Sequence, residues 1–267
     1  MAVYISLLMV AVVALGLVRY LETHAVFYPS KDIAQTPSVL GLDFEDLYLK
    51  TADGERINAW FVKSRIGAAT IIFAHGNAGN IGDRLLKLKF FHDLGLNVLL
   101  FDYRGYGKSS GHPAEEGIYK DGLAVYDHAV SRSDIDPKKI IMYGTSLGGV
   151  VAIEVATKRH CAVLIVDSSI TSAKESAKTF YPFLPAFFLR TKFDSIGKIR
   201  HIEAPKLIIH SPQDQLIPYS MGVKLYEAAS EPKLFLRSAG GHNEAGIIGD
   251  NRTAAGFKQF LTGLNLL

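Results

Sequence analysis

Gly144-Thr145-Ser146-Leu147-Gly148 reads G-x-S-x-G, and the residues on either side decide what it means. The apolar, β-type run Ile140-Ile141-Met142-Tyr143 comes just before it, and the helix-compatible stretch from Gly149 to Arg159 comes just after. Strand, sharp turn and helix is the context in which this pentapeptide lifts a serine onto an exposed tip. Glycines on both sides of Ser146 let the backbone turn tightly and keep bulk away from the hydroxyl. The pentapeptide alone is common by chance; in this setting Ser146 is expected to be a nucleophile rather than part of a structural turn.

Working outward, the chain alternates strand and helix signals from about Leu40. Asp46–Lys50 and Arg56–Val62 flank Ala52-Asp53-Gly54-Glu55 and read as a hairpin. Thr70–Ala74, Asn97–Phe101, Ala162–Val166, Lys206–His210 and Lys233–Arg237 are short strand-like runs. Gly82–Leu94, Glu115–Ser131 and Thr253–Leu264 carry helical patterns. Buried apolar strands separated by helices imply an α/β fold, a mostly parallel central sheet with helices on both faces. One domain is expected over 40–267. Ser169 to Ala204 falls between the sixth and seventh strands, where this fold inserts a cap; it is expected to be a short lid over the site or a helix-and-turn packed on the core. Its middle, Phe180-Tyr181-Pro182-Phe183-Leu184-Pro185-Ala186-Phe187-Phe188-Leu189, is strongly apolar.

A serine hydroxyl is a weak nucleophile at neutral pH. It needs a histidine to take its proton and a carboxylate to orient that histidine. Among the histidines after the motif, His242 lies in a glycine-containing loop, Ser238-Ala239-Gly240-Gly241-His242, just past the last strand. His160 ends a helix, and His201 precedes a strand. For the acid, Asp214 follows the strand ending at His210, while Asp167 follows the preceding strand and is the rival. Asp214 is favoured, and Asp167 is expected to cap its loop. The oxyanion formed during attack needs two backbone N–H groups. Leu147, at a helix start, supplies one, and Asn77 in Phe73-Ala74-His75-Gly76-Asn77-Ala78-Gly79-Asn80 is the choice for the other. His75 is expected to hydrogen-bond within that loop. Asp102 and Arg104, in Asp102-Tyr103-Arg104-Gly105-Tyr106-Gly107, are expected to support loop structure.

Composition narrows the alternatives. With 48% hydrophobic and 10% aromatic residues the chain can fill a core, and a net charge of +3 without a basic cluster argues against nucleic acid as a partner. The one cysteine, Cys161, rules out an internal disulfide and opens an apolar run, so it reads as core filler. No C-x-x-C, H-E-x-x-H or P-loop pattern occurs, and no metal or cofactor is expected. Ala2 to Val18 carries no charge; its seventeen residues would span about 26 Å as a helix, near the thickness of a bilayer core. Residues 1–21 are therefore expected to be a single-pass membrane anchor, with 22–39 a juxtamembrane connector. A cleaved secretory signal fits less well, because no basic residue precedes the run. Arg19 favours a cytoplasmic domain, but a single arginine leaves the side open.

With these pieces together, the chain resembles α/β-hydrolase-fold serine hydrolases. The resemblance is nearest to the membrane-anchored group that includes abhydrolase-domain-containing proteins thirteen and seventeen and bacterial relatives. It is carried by Phe27-Tyr28-Pro29, the His75–Asn80 and Asp102–Gly107 loops, Gly144–Gly149, Tyr181-Pro182, Asp214 and Gly241-His242. It implies Ser146, Asp214 and His242 as a catalytic triad. One departure is the acid loop, which in the group begins His-Gly and here begins His210-Ser211. The expected activity is cleavage of an ester or thioester, in a small molecule or an acylated protein, through an acyl-enzyme. An amide-cleaving peptidase uses the same groups, and a non-catalytic binding protein of this fold would normally have lost one of them.

Overall fold

The continuous apolar runs form the inner strands of one eight-stranded sheet. The computed structural model describes residues 4–6, 9, 12, 13, 16, 26–65, 67–180, 189–243 and 246–267. In chain order the strands are β1 (Glu45–Lys50), β2 (Arg56–Val62), β3 (Thr70–Ala74), β4 (Asn97–Phe101), β5 (Ile140–Thr145), β6 (Val163–Asp167), β7 (Lys206–His210) and β8 (Lys233–Arg237). Their spatial order is β8-β7-β6-β5-β3-β4-β2-β1. Neighbours from β8 to β4 run parallel, and β2 is antiparallel to both β4 and β1. Residues of β3, β4, β6 and β7 are buried throughout, as strands covered on both faces must be.

The helices are α1 (Leu85–Asp93), α2 (Glu115–Ser131), α3 (Leu147–Lys158), α4 (Ala173–Phe180), α5 (Ser195–Ile199), α6 (Tyr219–Ala228) and α7 (Asn251–Gly263). The two-residue period of a strand sorts its side chains between two cores. From β3, Ile72 and Ala74 join Val125 of α2 and Val151 of α3 on one face. Ile71 and Phe73 join Phe91 of α1 and Phe257 of α7 on the other. Cys161 is 3% exposed in the first of these, and burial pushes its thiol up to about 12.

The elbow helix starts at Leu147, as its role at a helix start requires, and takes in Gly148 and Gly149 despite their composition. The pattern over Gly82–Leu94 divides into a 3₁₀ turn, Ile81–Arg84, and α1. Asn80 caps that turn, its side chain accepting from Gly82 N and its own N–H donating to Asp83.

The segment between β6 and β7 holds α4 and α5, and its residues 181–188 lie outside the described residues. Its two stems are clasped to each other, Ala173 N donating to Lys192 O at 2.8 Å and Ile196 N to Thr171 O at 3.0 Å. The Glu115 carboxylate also accepts from Lys192 N (2.6 Å) and Phe193 N (2.8 Å).

The expected connector 22–39 is, over its described part, built into the domain. Phe27 is 6% exposed, with its ring edge-on to Phe193 at 6.2 Å, and Tyr28–Pro29 pairs in parallel with Ala78–Gly79. The apolar run Ala2–Val18 falls largely outside the described residues; among those described, no helix is long and apolar enough to cross a membrane.

Candidate active site

The tip between β5 and α3 is strained at Ser146 itself, whose φ of 55° and ψ of −121° fall where non-glycine residues are rarely found. Backbone bonds hold it there. Ser146 N donates to Asp167 O at 2.9 Å, and Ser146 O accepts from Ser169 Oγ at 2.7 Å. The flanking glycines serve close approach rather than unusual φ. A Cβ on Gly144 would overlap the Gly148 carbonyl, and one on Gly148 would overlap the carbonyl of Ala74.

Three chain-distant side chains meet here. His242 Nε2 lies 3.2 Å from Ser146 Oγ, and His242 Nδ1 lies 2.7 Å from Asp214 Oδ2. With Nδ1 protonated the imidazole donates to the carboxylate and accepts from the serine hydroxyl. Asp214 is fixed by its other oxygen, Oδ1, which accepts from Leu216 N (2.9 Å) and Ile217 N (2.7 Å). Burial alone would raise this carboxyl. Bonds from His210, His242 and the Ile217 N–H outweigh it and hold Asp214 well below the ordinary carboxylate range.

Ser146, His242, Asn77 and Leu147 line one cavity of about 800 Å³. Leu147 N is the first N–H of α3 and has no partner inside the helix. The Asn77 side chain is committed elsewhere, donating to Val26 O at 2.6 Å and accepting from Tyr106 OH at 2.8 Å, so any oxyanion contact from Asn77 falls to its backbone. One wall is apolar, with Val26, Ile170, Ala177, Leu189 and Phe193; the other carries Asp83, Arg84 and Lys87.

Over 260 residues the chain is 34% identical to the alpha/beta hydrolase domain-containing protein WAV2 of Arabidopsis thaliana, a match covering 86% of this chain and 84% of that one. The chain belongs to the α/β-hydrolase family. It is also 33% identical to the uncharacterized protein Rv2307c of Mycobacterium tuberculosis, over 95% of this chain and 92% of the relative. A family model described as serine aminopeptidase, S33, matches residues 67–196. Among solved structures, the chain is similar to an alpha-beta hydrolase from Vibrio vulnificus (TM-score 0.74, 20% identity, 92% of this chain and 93% of that one). It is similar too to the Pyrococcus furiosus esterase Pf2001 (TM-score 0.71, 20% identity, 89% and 97%). At that identity the structures speak for the fold alone.

Of the polar residues singled out in the sequence of this α/β-hydrolase, His75 bonds within its loop and Asp102 and Arg104 hold loop structure as expected, while Asp167 has longer-range partners. Asp167 reaches well beyond its loop: its Oδ1 accepts from Ser168 Oγ at 3.2 Å, but its Oδ2 accepts from Tyr143 OH at 2.5 Å and from Lys87 Nζ at 3.2 Å. Its backbone carbonyl, not its carboxylate, serves the nucleophile. His75 is fully buried, with Nδ1 2.6 Å from Gly76 O and Nε2 3.3 Å from Asp102 Oδ1. Asp102 and Arg104 do not pair with each other. Asp102 Oδ1 receives Ile81 N at 3.0 Å, while the Arg104 guanidinium bridges Asp53 and Asp121.

The sequence reading missed the bracing of the acid and base loops. His210 Nε2 lies 3.0 Å from Ile217 O and 3.5 Å from Asp214 Oδ2, backing the acid from behind. Ser211 Oγ donates to Gly240 O at 2.7 Å, Gly240 N donates to Gln213 Oε1 at 2.7 Å, and His242 N donates to Gln215 Oε1 at 3.2 Å. The departure His210-Ser211 was the available signal, because a serine hydroxyl can cross-link loops and a glycine cannot. Among the described residues, no group of three or more His, Cys, Asp or Glu side chains converges as a metal site.

Proposed function

We propose that this α/β-hydrolase is a serine hydrolase that cleaves ester or thioester bonds through an acyl-enzyme. Ser146 Oγ attacks the acyl carbon while His242 Nε2 takes its proton. Asp214 holds the imidazole in the productive tautomer and balances the imidazolium. The backbone N–H groups of Asn77 and Leu147 receive the oxyanion. His242 then protonates the leaving alcohol or thiol, and a water activated by the same imidazole releases the acyl group. The single observation that carries the reading is the continuous contact chain from Ser146 through His242 to Asp214, at 3.2 and 2.7 Å.

The apolar wall suits an acyl chain. Amide cleavage is the second reading, favoured by the serine aminopeptidase description of the matching family model. An aminopeptidase needs an anionic group to receive a free α-amine. Among the described residues, the carboxylate lining this cavity is Asp83, which already accepts from Asn80 N at 2.9 Å and shares the wall with Arg84 and Lys87. That wall speaks for esters. The nearer grouping, with membrane-anchored members held by an apolar N-terminal segment, is part of the same proposal, and Ala2–Val18 supports it.

A fluorophosphonate probe should label the full-length protein, and Ser146→Ala should abolish labelling and lower ester turnover by several orders of magnitude. Labelling that persists in the variant would remove Ser146 from this role. A panel of p-nitrophenyl esters beside aminoacyl p-nitroanilides separates the two readings by their relative kcat/KM.

A further inference from the structure

From residue 26 onward, seven large apolar side chains are exposed among the described residues, and four of them, Tyr28, Leu86, Leu216 and Ile248, line the one cavity that holds Ser146. They are 53%, 73%, 50% and 42% exposed. Each comes from a different segment: the short strand Tyr28–Pro29, the first turn of α1, the acid loop, and the chain after His242. Four separate segments each turning an apolar side chain outward around one mouth is a surface that water does not favour.

The opposite end of the sheet is different. Lys63 and Asp134 pair there at 3.2 Å, and Lys138 is exposed just before β5. Lys138 thus lies at the end of the sheet away from the one where these four apolar side chains surround the cavity.

The chain itself indicates what meets the apolar end. Val26 lines the cavity, and only eight residue steps separate it from Val18, the end of the uncharged run Ala2–Val18. Eight steps reach at most about 28 Å even when fully extended. A lipid layer that takes up the apolar run is thus tethered close to the cavity mouth. Asp83 lines the cavity together with Arg84 and Lys87, so the attraction is apolar contact rather than a field for anionic headgroups.

We infer that the rim formed by Tyr28, Leu86, Leu216 and Ile248 is a lipid-contacting surface that seats the cavity mouth on a bilayer. A lipid-borne acyl ester is then the substrate class the cavity is placed to receive. That last step rests on the serine-hydrolase reading; the docking does not.

The test uses the full chain on phosphatidylcholine vesicles. Leu86→Cys, Leu216→Cys and Ile248→Cys are each labelled with bimane, with Lys138→Cys as the control, Cys161 being buried. The three rim probes should shift to the blue on vesicle addition and be quenched by doxyl-labelled lipid, and the Lys138 probe should do neither. Rim probes that behave like the control overturn the inference, as does a chain that fails to associate with the vesicles. A blue shift without lipid quenching also overturns it, since the rim would then be covered by protein. Hydroxyl-radical footprinting of the unsubstituted chain repeats the measurement without any variant: Leu86, Leu216 and Ile248 should be protected by vesicles and the 137–139 turn should not. Fluorophosphonate labelling of Ser146 is scored separately, so loss of the enzymatic reading and loss of the docking surface are distinguishable.

Discussion

His242 Nδ1 and Asp214 Oδ2 stand 2.7 Å apart on loops that leave the adjacent parallel strands β8 and β7. The contact joins residues 28 apart in sequence, and its direction matters more than its strength. A carboxylate at that distance fixes which imidazole nitrogen carries the proton, and so leaves Nε2 free to accept from Ser146.

Asp214→Asn should therefore keep the fold and the reach of a fluorophosphonate to the cavity while losing turnover on the order of 10⁴-fold, as expected when the orienting acid of such a triad is replaced. Asp167→Asn should cost far less activity and act through stability, because Asp167 binds Tyr143 and Lys87 rather than His242. Steady-state ester kinetics on both variants decide the matter. A crippled Asp167→Asn beside a nearly normal Asp214→Asn would move the acid to β6.

Ser211 is the second position to change. Its hydroxyl donates to Gly240 O at 2.7 Å and accepts from Gln213 N at 3.1 Å, so it ties the acid loop to the base loop. Ser211→Gly should lower kcat by roughly 10- to 100-fold with little change in KM, the scale of one buried hydrogen bond of about 1–3 kcal/mol felt in positioning. An unchanged kcat would show that the remaining links through Gln213 and Gln215 suffice.

What was legible in sequence, and what was not, follows from how local each determinant is. The inner strands declare themselves because both of their faces are buried, which leaves uninterrupted apolar runs such as Thr70–Ala74. The span of α2 is readable from its period alone. Gly148 and Gly149 weaken the helical pattern at the start of α3, and their place is set by close approach to Ala74 and Ser169 rather than by propensity. Residues 22–39 read as a connector because Pro29 and Pro37 break any period, and the ties of its described part come from distant partners: Ala78 and Gly79 for Tyr28–Pro29, and Phe193 for Phe27. The Asp167–Lys87 contact spans 80 residues, beyond any local signal. In the candidate site, Ser146, Asp214 and His242 could be chosen because each sits just past a strand end, whereas the bracing by His210 and Gln215 depends on how two loops face each other.

Arg104 tests the reading of the Asp102–Gly107 loop as structural. Its side chain is 9% exposed and donates to Asp53 and to the fully buried Asp121 at 2.9–3.0 Å. Removing it strands a buried carboxylate, so Arg104→Ala should destabilise the fold by about 3–5 kcal/mol, the usual cost of breaking a buried pair from one side. Urea unfolding measures this. The kcat/KM of the fraction that stays folded should change little; a large loss of activity with unchanged stability would assign Arg104 to the substrate instead.

Acid pH gives the last prediction. Burial would raise the Asp214 carboxyl, yet His210, His242 and the Ile217 N–H hold it well below the ordinary range, whereas in the unfolded chain it sits near about 3.9. A group whose folded value is depressed adds stability above its unfolded value and loses it as pH falls through the folded one. Asp214 thus stabilises the native state at neutral pH, and that contribution begins to fade only below about pH 4. Asp214→Asn keeps the oxygen that accepts from Leu216 N and Ile217 N but carries no charge to titrate. The wild-type protein should therefore be the more stable of the two from about pH 5 upward, and the two should converge as pH drops below about 4. Urea midpoints taken across that range check it. A gap that is already closing between pH 7 and 5 would mean that Asp214 takes up its proton there, and the carboxylate would not be the fixed anion that the geometry around His242 requires.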